Sequence, residues 1–281
     1  MGSPMSTEYP CLPLSFKHRF PFRLSVPSFI YPADYLTNVR RLGPFVDEIE
    51  LLLLESQFES LPSAQEIESL AALALEMSIS YNVHLPIDLD MGGIHPEARR
   101  CAIDRMTTIL ELVRPLNPTT HTLHLDYSRE DQRPVTIAQW QECACEALAA
   151  LLNQTAIPAQ RISVETLDYP PEWFAPMVNR LDLSVCLDAG HIVRYGFDLP
   201  SVLALFGPQI TICHLHGVDQ GRDHLGLDRL AIQPRETLTR FLRGFKGSAS
   251  LEVFSFERLQ ASLGCIKEMM DAEGRGDDDR S

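Results

Sequence analysis

A chain of 281 residues with 45% hydrophobic and 22% charged residues holds enough apolar material for a sizeable core and is unlike a disordered chain. The formal net charge is −14, from 24 Lys+Arg against 38 Asp+Glu, and such a field argues against extended nucleic acid as a partner. Seven cysteines form no paired framework, no run of about 18 apolar residues offers a membrane span, and no basic-then-apolar leader opens the chain, so the expected compartment is the cytoplasm.

Residues 1–20 read as an N-terminal extension, whose Met-Gly-Ser-Pro start ahead of a second Met looks like a cloning remnant. From there, apolar runs are taken as buried strands and segments of 3.6-residue period as helices. Residues 22–29 form the first expected strand, followed by a helix from about 32 to 43. Residues 46–55, containing Ile-Glu-Leu-Leu-Leu-Leu, read as a central strand, and 63–77 as a helix opened by the capping box Ser63-Ala-Gln-Glu66. The third strand is 81–87, and Pro96 suits the first turn of a helix running to about 113.

The fourth strand covers 120–126, and a polar loop over 127–134 leads to a helix over 137–152. Strand five is 161–166 with a short helix at 171–180; strand six is 183–188 with a helix at 199–206. Strand seven is 209–216, a long loop fills 217–233, and a helix follows at 234–243. Strand eight is 248–254, before a last helix to about 270. Eight strands alternating with eight helices predict an α/β fold, a closed (β/α)₈ TIM barrel in a single domain over 21–271. An open doubly wound sheet would carry a glycine-rich first turn, and none follows Phe29. The tail at 272–281 is charged and glycine-bearing and is expected to be disordered.

The predicted strands end in histidines and carboxylates: His84, His124, Glu165, Asp188 with His191, His214 with His216, and Glu252. Parallel strands bring such ends to one rim, where rigid positions suit a divalent cation. A buried carboxylate inside an apolar run is costly unless paired or coordinated, and Glu165, Asp188 and Glu252 all sit in such runs. Asp223 and His224, in Gly-Arg-Asp-His, complete the candidate ligands. His216 is a candidate substrate contact, and so is Arg222 beside the site. His18, His95 and His121 are expected to lie off the site.

Val-His-Leu-Pro at His84, Leu-His-Leu-Asp at His124, Val-Glu-Thr at Glu165, Leu-Asp-Ala-Gly-His at Asp188, His-Leu-His-Gly at His214 and Leu-Glu-Val-Phe at Glu252 resemble the xylose-isomerase-like, endonuclease IV type barrels. Within them, Ser-Phe-Ile-Tyr-Pro-Ala-Asp and Gly-Arg-Asp-His-Leu resemble the cobamide-remodelling phosphodiesterases (CbiR). The resemblance implies two or three divalent ions (Zn, Mn, Fe or Co). His84 and His124 with bridging Glu165 would hold one, and Asp188, His214 and Glu252 with Glu165 a second. His191 with Asp223 and His224 would hold a third, although the nuclease motif separates this Asp and His by one residue. The implied activity is hydrolysis of the phosphoester in the nucleotide loop of a cobamide, the vitamin B12 class, with Glu165 as the central catalytic residue. Alternatives are a sugar isomerase or epimerase of the same barrel, which needs one metal on two Glu, an Asp and a His, and a corrinoid-binding barrel without catalysis.

Overall fold

Strands here are two-sided, and their side chains divide by period two. In a computed structural model, which describes residues 9–127 and 130–272, β1 (Arg23–Pro27) turns Leu24 and Val26 to the helical shell, where both are fully buried. Helix α1 (Tyr35–Leu42) follows, capped by the Asp34 carboxylate, which accepts from the Thr37 N–H. β2 (Glu48–Leu52) leads to α2 (Ala64–Met77), whose start shows the expected capping box of Ser63 and Glu66. β3 (Ser80–His84), α3 (Pro96–Val113), β4 (His121–Leu123), α4 (Pro134–Thr155), β5 (Ile162–Glu165), α5 (Ala175–Leu181) and β6 (Ser184–Asp188) continue the alternation.

Beyond β6 the pattern departs from strict alternation. Asp188 caps a short helix, α6 (Ala189–Arg194), before the expected α7 (Leu199–Phe206). After β7 (Ile210–His214), the segment expected as a loop forms an antiparallel hairpin, β8 (Gly217–Asp219) and β9 (Arg222–Leu225). Its turn places Gln220 at φ 50° and Gly221 at φ 74°, the paired left-handed conformation that suits two-residue hairpin turns. Helix α8 (Ile232–Gly244), β10 (Ser248–Ser250) and α9 (Phe256–Asp271) complete the fold.

The barrel strands all pair in parallel and close in the order β1-β10-β7-β6-β5-β4-β3-β2, giving the expected single-domain barrel. Outward residues such as Ile49, Leu51, Tyr81, Val83, Val185 and Leu187 pack against the helices in one continuous core. The lumen is polar instead. Asn82 on β3 donates to Ser25 Oγ on β1 and to Glu48 Oε2 on β2, both at 2.9 Å, and Ser250 on β10 donates to Glu50 on β2 at 2.6 Å. Each bond satisfies a group whose burial would otherwise be unfavourable. The expected disordered tail lies, from residue 273, outside the described residues, as do residues 1–8 of the extension.

Candidate metal centre

Parallel closure puts every strand's C-terminal end at one mouth, and the donors gather there. Glu165, ending β5, is 1% exposed and central. His84 Nε2, from the end of β3, lies 3.3 Å from Glu165 Oε2, and His124 Nε2, one residue past β4, lies 3.0 Å from the same oxygen. Towards Oε1 come His191 Nδ1 at 3.4 Å and His214 Nδ1 at 3.6 Å. His214 Nδ1 also lies 3.2 Å from Glu252 Oε2 and 3.9 Å from Asp188 Oδ2.

Local structure explains the positions of Asp188, His191 and His216. Asp188 Oδ1 accepts the His191 N–H at 2.7 Å as the cap of α6, so the Asp-Ala-Gly-His spacing sets both side chains. Between them, a Cβ on Gly190 would fall 2.0 Å from His216 Cε1, so only glycine leaves room for that ring. His216 is fully buried, with Nε2 3.1 Å from Asp188 Oδ1, and its Nδ1 accepts the His224 N–H at 3.0 Å.

Three sets of side chains offer donor atoms that all lie within 4.8 Å of one another: His84, His124 and Glu165; Glu165, Asp188, His214 and Glu252; and His191, His216 and His224; two further sets, His84 with His214 and Glu252, and Glu165 with Cys186 and His214, overlap the first two. The first two share Glu165. Backbone carbonyls orient several of these rings. His84 Nδ1 faces Leu85 O at 3.0 Å, His191 Nδ1 faces Thr166 O at 3.2 Å, and His224 Nδ1 faces Glu252 O at 3.1 Å. A carbonyl only accepts, so each Nδ1 carries the hydrogen and each Nε2 is left as the donor to a cation. For His84 that leaves an imidazole lone pair opposite a carboxylate oxygen, an arrangement that requires a cation, proton or metal, between them. His214 Nδ1 and Glu252 Oε2 are buried, face each other, and have no hydrogen-bond partner among the described residues. These donors fit a divalent ion.

The electrostatics are those of a cluster short of positive charge. Burial pushes Glu165 up, but His124 and His214 outweigh it and hold the carboxyl well below the ordinary range. Asp188 is likewise lowered, burial being overcome by His191 and His216. Burial pulls His191 down, yet Asp188 and Glu165 raise it to about 10. His84 and His216 are also raised against burial, by Glu165 and Asp188 respectively, and His214 is raised by Cys186 and then by Glu50, Glu252 and Glu165. His224 alone in this group is lowered, because burial exceeds the pull of Glu252. The carboxylates thus retain protons on the rings wherever no stronger cation displaces them.

Of the residues singled out in the sequence, His84, His124, Glu165, Asp188, His191, His214, His224 and Glu252 come together. Asp223 does not. Its carboxylate is taken up by an ion pair with Arg194, while His224, in the left-handed conformation at φ 48°, turns its ring towards Glu252. His216, expected as a substrate contact, is fully buried and groups with His191 and His224. Arg222, the other expected substrate contact, is exposed at the start of β9. Glu50 was missed: it is fully buried and its Oε1 lies 2.8 Å from His214 Nε2. Its signal was a lone carboxylate inside Ile49-Glu50-Leu51, the same cue that exposed Glu165. His18, His95 and His121 belong to none of the three sets, and His121 is buried at the opposite end of β4.

The family model of the xylose isomerase-like TIM barrel matches residues 36–269. No curated protein matches the sequence. Similar solved structures include a D-tagatose 3-epimerase-like protein, at 18% identity over 89% of this chain and 98% of that one, with a TM-score of 0.73. The TTHB071 protein of Thermus thermophilus, from a crystal soaked with ZnCl2, is 24% identical over 90% of this chain and 98% of its own, with a TM-score of 0.70. The IOLI protein, determined with a bound zinc atom, is 14% identical over 89% and 99%, also at 0.70. With 234 of its 281 residues inside the family model (36 to 269), this chain belongs to the xylose isomerase-like TIM barrel family.

Proposed function

We propose that the chain is a metal-dependent phosphodiesterase that hydrolyses the nucleotide-loop phosphoester of a cobamide. The observation that carries this reading is the sharing of Glu165 between two donor sets, with a third histidine set alongside. Divalent ions bound there would polarise phosphoryl oxygens, activate water and stabilise the leaving oxygen. His84 and His124 would hold one ion with Glu165, and Asp188, His214 and Glu252 a second. His191, His216 and His224 form a candidate third position. Glu165, buried and held ionised, would keep the two main positions in register while water is added to phosphorus and the ester oxygen leaves with a proton.

The rim supports a broad, partly apolar substrate. Phe29, Leu54, Phe58, Ile87, Ile94 and Phe254 are all exposed, and all lie in segments that follow barrel strands at the donor end. Such a border fits a corrin macrocycle better than a free sugar.

A second reading is a sugar epimerase or isomerase. It is favoured by the set Glu165, Asp188, His214 and Glu252, which alone suffices for one cation. The test is to load the protein with zinc or manganese, incubate it with adenosylcobalamin and with a ketose panel, and follow products by mass spectrometry. A corrinoid phosphoester product that disappears in Glu165→Ala supports the phosphodiesterase. Ketose turnover with one metal per chain supports the second reading. Tight cobamide binding without turnover would leave a corrinoid-binding barrel.

A further inference from the structure

We propose that Glu50 is a positioning residue of the metal centre, which fixes the tautomer of His214 and so makes Nδ1 its donor atom. This rests on the metal-centre reading above and adds a residue outside its ligand sets. Glu50 lies on β2 and His214 at the end of β7, so their contact crosses the lumen with β1 and β10 between them in the ring. Glu50 Oε1 lies 2.8 Å from His214 Nε2, and both side chains are fully buried. Glu50 Oε2 is engaged separately, accepting from Ser250 Oγ at 2.6 Å. The carboxylate is therefore held at both oxygens and points one of them along the imidazole edge.

An ionised carboxylate only accepts hydrogen bonds, so the hydrogen in this contact belongs to His214 Nε2. When a metal displaces the remaining proton, the ring's other nitrogen carries the lone pair. That nitrogen, Nδ1, has no hydrogen-bond partner among the described residues and faces Glu252, Glu165 and Asp188 at 3.2, 3.6 and 3.9 Å. This reverses the pattern at His84, His191 and His224, whose Nδ1 atoms face backbone carbonyls. At the other three a neutral carbonyl sets the ring. At His214 a carboxylate does, and it also makes the imidazole a stronger donor.

The decisive variant is Glu50→Gln, which keeps the shape and an accepting oxygen but removes the charge. Zinc stoichiometry and affinity are read by titration and elemental analysis, with circular dichroism and melting of the metal-free protein as controls. The expected result is a folded variant whose affinity at one zinc position falls about 10–100-fold. A role in folding alone would lower the metal-free melting temperature and leave zinc affinity of the folded protein unchanged, and that result overturns the proposal. If Glu50→Gln does not fold, ¹⁵N-histidine NMR of the zinc-loaded parent decides. Hydrogen on Nε2 of His214 supports the assignment, and hydrogen on Nδ1 overturns it. A parent that binds no zinc refutes the metal-centre reading itself, which separates the two failures.

Discussion

At the scale of single residues, the site's main property is the retention of protons by histidines set beside carboxylates, with which any bound cation would compete. Carboxylates raise His84, His191, His214 and His216 above the ordinary histidine value, with His191 at about 10. Binding a divalent ion must expel those protons, so zinc affinity is expected to rise steadily from pH 6 to pH 8, by up to about tenfold per unit for each proton released. Isothermal titration in buffers of different ionisation heat counts the protons; a pH-independent affinity with no proton release contradicts the assignment. Asp188→Ala and His214→Ala should each lose bound metal and activity together while the far-ultraviolet spectrum stays native, and retained activity in both would remove them from the centre. His121 behaves oppositely. Burial holds it down to about 4, whereas in the unfolded chain it titrates near 6.5. The unfolded state takes up the proton first, so this residue's stability is complete above pH 6.5 and is lost as pH falls towards 4, by about 3 kcal/mol in all. His121→Phe should flatten that part of the stability profile in urea unfolding.

Among the elements, what could be read from the sequence depended on periodicity. The eight barrel strands, the capping box of α2 and the span of α7 were legible because apolar runs and cap residues are local signals. Strand ends marked by His84, Glu165, Asp188 and His214 were equally plain, since a polar residue closing an apolar run stands out against its neighbours. The polar lumen was less visible. Ser25, Glu48, Glu50 and Asn82 alternate with larger apolar residues, and reading each run as uniformly apolar hid them. The β8–β9 hairpin was hidden too, because its strands have three and four residues and its turn lacks Asn-Gly. That hairpin carries His224 into the third set, and the facing α6 leaves space for His216 through Gly190. Gly190→Ala should force the His216 ring aside and lower the zinc stoichiometry measured after gel filtration, while sparing the His84–His124 position.

For the molecule as a whole, any cation held by the donors would add its binding energy to the stability of the fold. Four buried carboxylates, Glu50, Glu165, Asp188 and Glu252, face one another across a lumen in a chain of net charge −14. A cation that binds only the closed barrel stabilises it by mass action, about 2.7 kcal/mol at a hundredfold excess over its dissociation constant. In a chain of this size that corresponds to a rise of about 5 °C in melting temperature. Differential scanning calorimetry with and without zinc reads the shift, and Glu165→Ala should abolish most of it. No shift in the parent would mean that the donors do not hold metal in the folded state.

The Glu50 contacts also bear on how the chain reaches its native form. Glu50 meets His214 across 164 positions of sequence and Ser250 across 200. Loop closure over such distances comes late, after the local βα units have formed. An N-terminal half-barrel would contain Glu50, His84 and His124 but none of the partners that join the two halves of the ring. If the donors take up zinc, its uptake during refolding should report the moment at which the last strands meet the first and lag behind the return of helical signal in stopped-flow measurements.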